Sequence, residues 1–395
     1  MKLHEKFQLI EDDLKSFLVE MDAEIRGAVL AIATGTHVFY LGPPGGGKSY
    51  MTNHLMDLIG GARKFRLLFG NFTNPEDVFG PLDVAALKDS HYRRLLAGYM
   101  ADSHFVFADE YWKANDSILN SLLELTNERT YQHDGEKIAV PLLSMFCASN
   151  ELPSNDGLRA IYDRIIQRYE VKPIQEPANF ERMLRLADGT VVKPIVSLDD
   201  VLRAQAAVRA MPIAPGVFTA LTEIRQELKA INIEPSDRRF KQSIVLLQAE
   251  AWLEGFGSVE IDQVPVLANV LWDAPEQIID IDRILSEKAN PRERETLDLL
   301  NDIDKIGDLV AKAVDDDDAA RKQATGMEVH PKVIAAFSAI KDIQADTHIT
   351  RRQTALVDRC EAALKTHSYR LLKDVFSMSD EEIAKMHREG TPKAA

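Results

Sequence analysis

The sequence predicts an α/β fold in which a parallel sheet is flanked by helices, followed by an all-α lid and a helical C-terminal segment. Three observations predict it. A Gly-rich segment, GPPGGGKS at 42–49, stands between a short β run and a helix. Short apolar runs alternate with helical periodicity as far as residue 171, the pattern of parallel strands joined by helical crossovers. Beyond Pro194 the β signals fade and helix-capping residues take over.

Residues up to about 34 carry apolar side chains at helical spacing: Phe7, Ile10, Leu14, Phe17, Leu18 and Met21, then Ile25, Val29 and Ile32. The run 37–41 reads as the first strand. Further strands are expected at 65–68, 105–108, 144–148 and 169–171. Ser197-Leu198-Asp199-Asp200 has the form of a capping box that opens a helix. A second helix is expected over 217–230, and a third from Ser236 or Asp237 to about Leu253, before Gly255 and Gly257. A fourth fits 264–271, with Pro265 near its start. The expected domains are a nucleotide-binding core at 1–190, the all-α lid at 195–275, and an acidic linker with a helical segment at 276–395.

The chain has 395 residues, 45% hydrophobic and 28% charged, with a net charge of −15. That balance suits soluble globular domains and argues against a protein that grips nucleic acid through its phosphates. Residues 273–320 carry 15 acidic and 6 basic side chains, a net −9, and the run Asp315–Asp318 reads as a solvated linker. The two cysteines, Cys147 and Cys360, have neither CxxC nor zinc spacing, so a reducing compartment fits. The N-terminus lacks the apolar stretch of a signal peptide, and the apolar run 28–33 is too short to span a bilayer. A cytoplasmic protein with no membrane insertion is expected.

Gly42, Pro43, Pro44, Gly45, Gly46, Gly47, Lys48 and Ser49 match G-x-x-x-x-G-K-[ST] in full, and Tyr50 continues the segment. Glycines let the backbone wrap phosphates closely, and the helix that follows adds its positive end. Lys48 is expected at the β and γ phosphates of ATP, and the Ser49 hydroxyl on Mg²⁺. Phe105-Val106-Phe107-Ala108-Asp109-Glu110 is an apolar strand ending in two carboxylates. Asp109 would hold the shell of the Mg²⁺, and Glu110 would polarise the attacking water. Asn150 ends the next apolar strand, where it faces the γ-phosphate or simply forms a turn. Arg164, with Arg159 second, is the candidate finger for a neighbouring subunit's site; the competing reading pairs it with Asp163 or Glu170. Arg238, at the start of a lid helix, is expected to fold back onto its own subunit's γ-phosphate, unless it is an exposed helix-terminal arginine.

Taken in order, GPPGGGKS, FVFADE, CASN, YDR and SDRR resemble the AAA+ ATPases, and specifically the MoxR group. The segments NPEDVFGPL at 74–82, DEYWKA at 109–114, LNSLL at 119–123 and NER at 127–129 resemble its RavA branch. The likeness covers roughly residues 15–285. It implies an AAA+ P-loop domain in a hexameric ring with ATP between subunits, Asn150 as sensor 1, Arg238 as sensor 2 and Arg164 as the finger in trans. It also implies a partner with a von Willebrand factor A domain, a protein client, and a role as chaperone or remodeller of complexes. By the same likeness, Ile25 contacts the adenine.

Two other functions compete. A nucleic-acid motor or loader would need a basic stripe, of which His91, Arg93 and Arg94 offer only a small cluster. A scaffold that binds ATP with little hydrolysis sits poorly with the Asp109-Glu110 pair. Tyr111 and Trp112 suit core or interface packing better than communication between subunits. Tyr92, Arg93, Arg94 and Tyr99 fall in an insert that either forms a hairpin facing a ring pore or lies on the ordinary surface.

Overall fold

In the computed structural model, the described residues are 1–154, 156–186, 192–289, 291–315, 318–345 and 351–389. The chain forms two compact units, 1–285 and 286–395.

Five strands make the sheet of the first unit: β1 (Val38–Leu41), β2 (Lys64–Leu68), β3 (Phe105–Asp109), β4 (Ser144–Ser149) and β5 (Gln167–Glu170). All pair in parallel, in the order β2-β3-β4-β1-β5. The central strands read as near-continuous apolar runs because helices cover both faces. Phe39, Val106, Ala108 and Cys147 are wholly buried in one core cluster, joined by Trp112 and Tyr162. Trp112 stacks edge-on to Tyr162 and tilted to Phe39, so it is a core residue.

The expected N-terminal helix is two, α1 (Leu3–Phe17) and α2 (Asp22–Thr34). Glu20 breaks it with a left-handed φ of 57°. Its carboxylate accepts from the backbone of Gln175 (2.7 Å) and Glu176 (3.0 Å) and from Asn179 Nδ2 (2.9 Å). Those bonds hold the Glu20 carboxyl below its usual value, the Gln175 N–H contributing most. Helix α3 (Lys48–Asp57) follows β1 directly. After β3 comes α4 (Asp116–Asn127), N-capped by Asn115, and before β5 comes α5 (Asp156–Tyr162).

The insert before β3 contains two short helices and closes on itself through an antiparallel bridge between Leu82 and Arg94, the Asp83 N–H donating to Arg93 O (2.8 Å) and the Leu95 N–H to Pro81 O (2.9 Å). A longer hairpin lies after α4, where strands 130–133 and 136–139 pair around Asp134-Gly135. Both turn residues have positive φ, which suits an Asp-Gly connection. Asp134 also accepts from His91, Arg93 and the Tyr92 N–H, tying the insert to the hairpin.

The all-α stretch comprises α6 (Leu198–Arg209), α7 (Pro215–Ala230) and α8 (Asp237–Glu254). Ser197 does cap α6, and α8 runs from its Ser236 cap to Gly255 at φ 82°. The segment 261–269 is a 3₁₀ helix. Most of the acidic stretch is helical, with helices Ile278–Ala289 and Pro291–Val314, while Asp315 and Asp318 lie between helices, Asp318 capping the next one. In the second unit Ile303 and Val310 are buried with Val333, Cys360 and Leu364, so apolar side chains at helical spacing outweigh the charge of the exposed face. Of the run Asp315–Asp318, Asp316 and Asp317 lie outside the described residues, as does the expected boundary at 190.

Candidate functional site

The phosphate-binding segment is built on the exit from β1. The Gly42 N–H still donates to Ser149 O at 3.0 Å, so the loop begins as an extension of the sheet. A Cβ on Gly42 would stand 2.3 Å from Val171 O, a place only glycine can occupy. Gly47, at φ 81°, turns the chain into α3, whose unpaired first-turn N–H groups open onto the loop. Residues 44–50 line a cavity of about 330 Å³ with Asp109, Glu110 and Ser149.

Ser49 Oγ donates to Asp109 Oδ2 at 3.0 Å, bringing together the two side chains expected around Mg²⁺. A hydroxyl and a carboxylate beside a phosphate loop fit this ion, which keeps several waters and takes few protein ligands. Lys48 Nζ donates to the carbonyls of Gly42 (2.6 Å) and Pro43 (2.7 Å). Burial pushes its ammonium below the usual value, and the charges of Asp109 and Glu110 offset part of that. Glu110 sits at φ 52°, ψ 44°, a left-handed conformation that costs a non-glycine residue about 1–3 kcal/mol. That strained turn places its side chain on the cavity wall, 3.1 Å from Lys113 Nζ.

Other expected residues lie elsewhere. Asn150 is exposed one residue past β4, and Ser149 lines the cavity in its place. Ile25 is wholly buried in the core and does not line this cavity. Leu18 and Met21 approach the loop instead: a Cβ on Gly47 would meet Met21 Sδ at 3.2 Å. The break at Glu20 delivers them there, and helical periodicity read straight through it. Tyr50 lies half-exposed on the cavity rim, edge-on to Phe17.

Arg164 lies three residues before β5, which pairs with β1 from Val38–Gln167 onward. It therefore stands at the N-terminal end of the sheet, opposite the phosphate loop. Its Nη1 donates to Ala160 O at 2.6 Å, and it pairs with neither Asp163 nor Glu170 among the described residues. Asp163 is held instead by Arg239 (2.8 Å) and by Ser236 Oγ (2.9 Å), at the start of α8. The exposed Arg238 on that first turn is thus on the side of Arg164. It does not line the cavity around its own chain's phosphate loop, a departure from the expected fold-back. The lid helix starts beside β5, and its far end meets α2 through Arg26, Glu250 and Glu254.

A five-stranded parallel sheet carrying this loop and carboxylate pair, with a helical lid behind it, defines a nucleotide-binding protein of AAA+ architecture. Residues 5–193 match the family model of the MoxR domain in MoxR-vWA-beta-propeller ternary systems, and 216–285 match an AAA lid domain. Two uncharacterised proteins of Methanocaldococcus jannaschii are similar. One is 31% identical over 367 residues, 89% of this chain and 93% of that protein. The other is 34% identical over 306 residues, 75% of this chain and 81% of that protein. The chain belongs to the MoxR family. A crystal structure of a candidate ATPase from Cytophaga hutchinsonii shares the fold, with a TM-score of 0.58 and 18% identity, covering 73% of this chain and 95% of that one. The narrower likeness to the RavA branch has no support from these matches. No described helix is long and apolar enough to cross a membrane.

Proposed function

We propose that this chain hydrolyses ATP between the subunits of a homo-oligomeric ring, and uses the energy to remodel a protein client together with a partner containing a von Willebrand factor A domain. One observation carries the reading. The phosphate loop with Asp109 and Glu110 stands at one end of the sheet, and Arg164 with Arg238 at the other, so the arginines cannot serve their own chain's nucleotide. Each site is complete only where two copies meet, loop end against arginine end. Bound Mg²⁺, held by Ser49 and with its water shell oriented by Asp109, would neutralise phosphate charge. Lys48 binds the β and γ phosphates, Glu110 orients and accepts a proton from the attacking water, and Arg164 stabilises the charge of the transition state. Arg238 acts with Arg164 on the neighbour's nucleotide, and Asn150 serves as a weaker contact beside Ser149.

The partner is supported by the matched family model, which describes a domain from ternary systems with a vWA protein. A hexamer is the ring size proposed, and a cytoplasmic setting suits the two free, buried cysteines. The test mixes two variants. Arg164→Ala alone should lose turnover, and adding a Glu110→Gln chain, which has an intact Arg164, should restore it. If activity stays absent at every mixing ratio, action across a subunit boundary is wrong.

A further inference from the structure

A second cavity, of about 430 Å³, lies at the N-terminal end of β1. Its floor is Thr34 to His37, and its walls carry Arg129, Arg164, Arg209 and Lys241. None of its lining residues is acidic. Among the described residues none of these four cations pairs with a carboxylate, although the chain carries a net charge of −15. The four come from four places: the end of α4, the entry to β5, the last residue of α6 and the second turn of α8. Tertiary structure alone gathers them.

Arg129 is the most constrained. Its Nη2 donates to Gly35 O (2.8 Å) and Leu143 O (3.1 Å), which fixes the plane of the guanidinium. Its Nη1 is buried with no hydrogen-bond partner. A buried charged donor left unmet is costly. Burial first, and the Arg209 charge second, bring Arg129 down to about 10, so it stays cationic at neutral pH. His37 adds no charge. Its Nε2 faces Thr126 O (3.1 Å) and its Nδ1 accepts from the Met145 N–H (2.9 Å), the neutral tautomer.

A forked donor set with surplus charge and no counter-carboxylate is built for an oxyanion, and guanidinium forks suit phosphate best. The chain's own phosphate loop is at the far end of β1, roughly 15 Å along the strand. We infer that this pocket receives the terminal phosphate of a nucleoside triphosphate presented by the phosphate loop of a second copy of this chain, with Arg129, Arg209 and Lys241 binding it beside Arg164. This rests on the inter-subunit reading above and extends it from a single arginine to a four-cation receptor.

The test uses full-length chains. Arg209→Gln with Lys241→Gln should bind a fluorescent ATP analogue within about twofold of the parent and lose at least about tenfold in kcat. Adding a Glu110→Gln chain, whose pocket is intact, should restore turnover at the variant's own loops. Parental turnover, or a loss that the added chain does not rescue, overturns the inference. Calorimetry with tripolyphosphate separates the sources of the anion. A Lys48→Ala chain, its loop disabled, should still bind the probe, and the same chain with Arg209→Gln and Lys241→Gln should not. No binding to the Lys48→Ala chain overturns the pocket as an anion site, whether or not the parent hydrolyses ATP. Binding there combined with parental turnover in the double variant overturns the second copy as the source and leaves a site for free phosphate. A parent without any ATPase activity sinks the proposed function, while the probe still judges the pocket.

Discussion

Arg239→Met would remove one corner of a four-charge cluster that fastens the lid helix to the strand-entry segment. Arg239 is 2% exposed and reaches Asp163 and Asp273, both at 2.8 Å. Arg168, wholly buried and stacked 3.6 Å over the Tyr162 ring, donates to the same Asp273 oxygen, Oδ1, at 2.7 Å. Two arginines thus neutralise two aspartates. Deleting one partner of a fully buried pair costs about 3–5 kcal/mol. Here the Asp273 side chain is 54% exposed and keeps Arg168, so its share is closer to that of a surface pair. Asp163, 27% exposed, would keep only the Ser236 hydroxyl. The sum is about 2–3 kcal/mol, which for a unit of this size lowers the melting temperature by roughly 5–10 °C. Thermal unfolding followed by circular dichroism at pH 7 measures it.

The pH dependence has a definite sign. Burial alone would raise the Asp273 carboxyl, but Arg239 and then Arg168 hold it below its usual value. A depressed carboxylate stabilises the folded chain above its unfolded pKa of about 3.9, and that stability is lost as pH falls through the folded value. The gap between parent and variant should therefore be full at pH 7 and shrink below about pH 4. A variant melting within about 1 °C of the parent at pH 7, or a gap unchanged at low pH, would refute the cluster as a source of stability.

Gly47→Ala forces a Cβ onto a φ of 81°, 3.2 Å from Met21 Sδ, and should weaken binding of a fluorescent ATP analogue by about tenfold, a cost of about 1–2 kcal/mol. His37 is held at about 3 by burial, with the Arg129 charge second. Its neutral form stabilises the folded chain above the unfolded value of about 6.5, and that contribution is lost as pH falls from there towards 3. In urea titrations from pH 7 to 5, His37→Gln should show a shallower loss of stability than the parent by up to about 1.4 kcal/mol per pH unit. Glu24, raised to about 7 by burial, acts with the opposite sign but is common to both proteins. Glu20→Ala removes the three hydrogen bonds that hold the break before α2, and should raise the Kd for the same nucleotide analogue severalfold while leaving the overall circular dichroism spectrum unchanged.

The strands were legible because each central one is a short apolar run, buried on both faces, that no helix of ordinary length could use. The phosphate loop and the Asp109-Glu110 pair were legible because their spacing is local and chemically specific. So were the Ser197 and Ser236 caps and the Gly255 stop. Other features depend on distant partners. The break at Glu20 is held by residues 175–179, and nothing at 18–21 announces it. The hairpin at Asp134-Gly135 went unread, because its strands are too polar for periodicity to mark. The four cations of the second cavity are scattered from 129 to 241, and only the packing of α4, α6, α8 and the β5 entry brings them together. Ile25 followed family position onto a helix whose apolar face points into the core, and Arg238 followed it onto a helix that starts at the other end of the sheet.

The central claim is that the loop end of one chain hydrolyses ATP with Glu110 as the group acting on water. Parallel measurement of ATP retention and phosphate release in Glu110→Gln tests it most directly. The account predicts parental nucleotide binding with turnover reduced by at least about a hundredfold. Phosphate release at the parental rate, or loss of ATP binding in a folded variant, would contradict it.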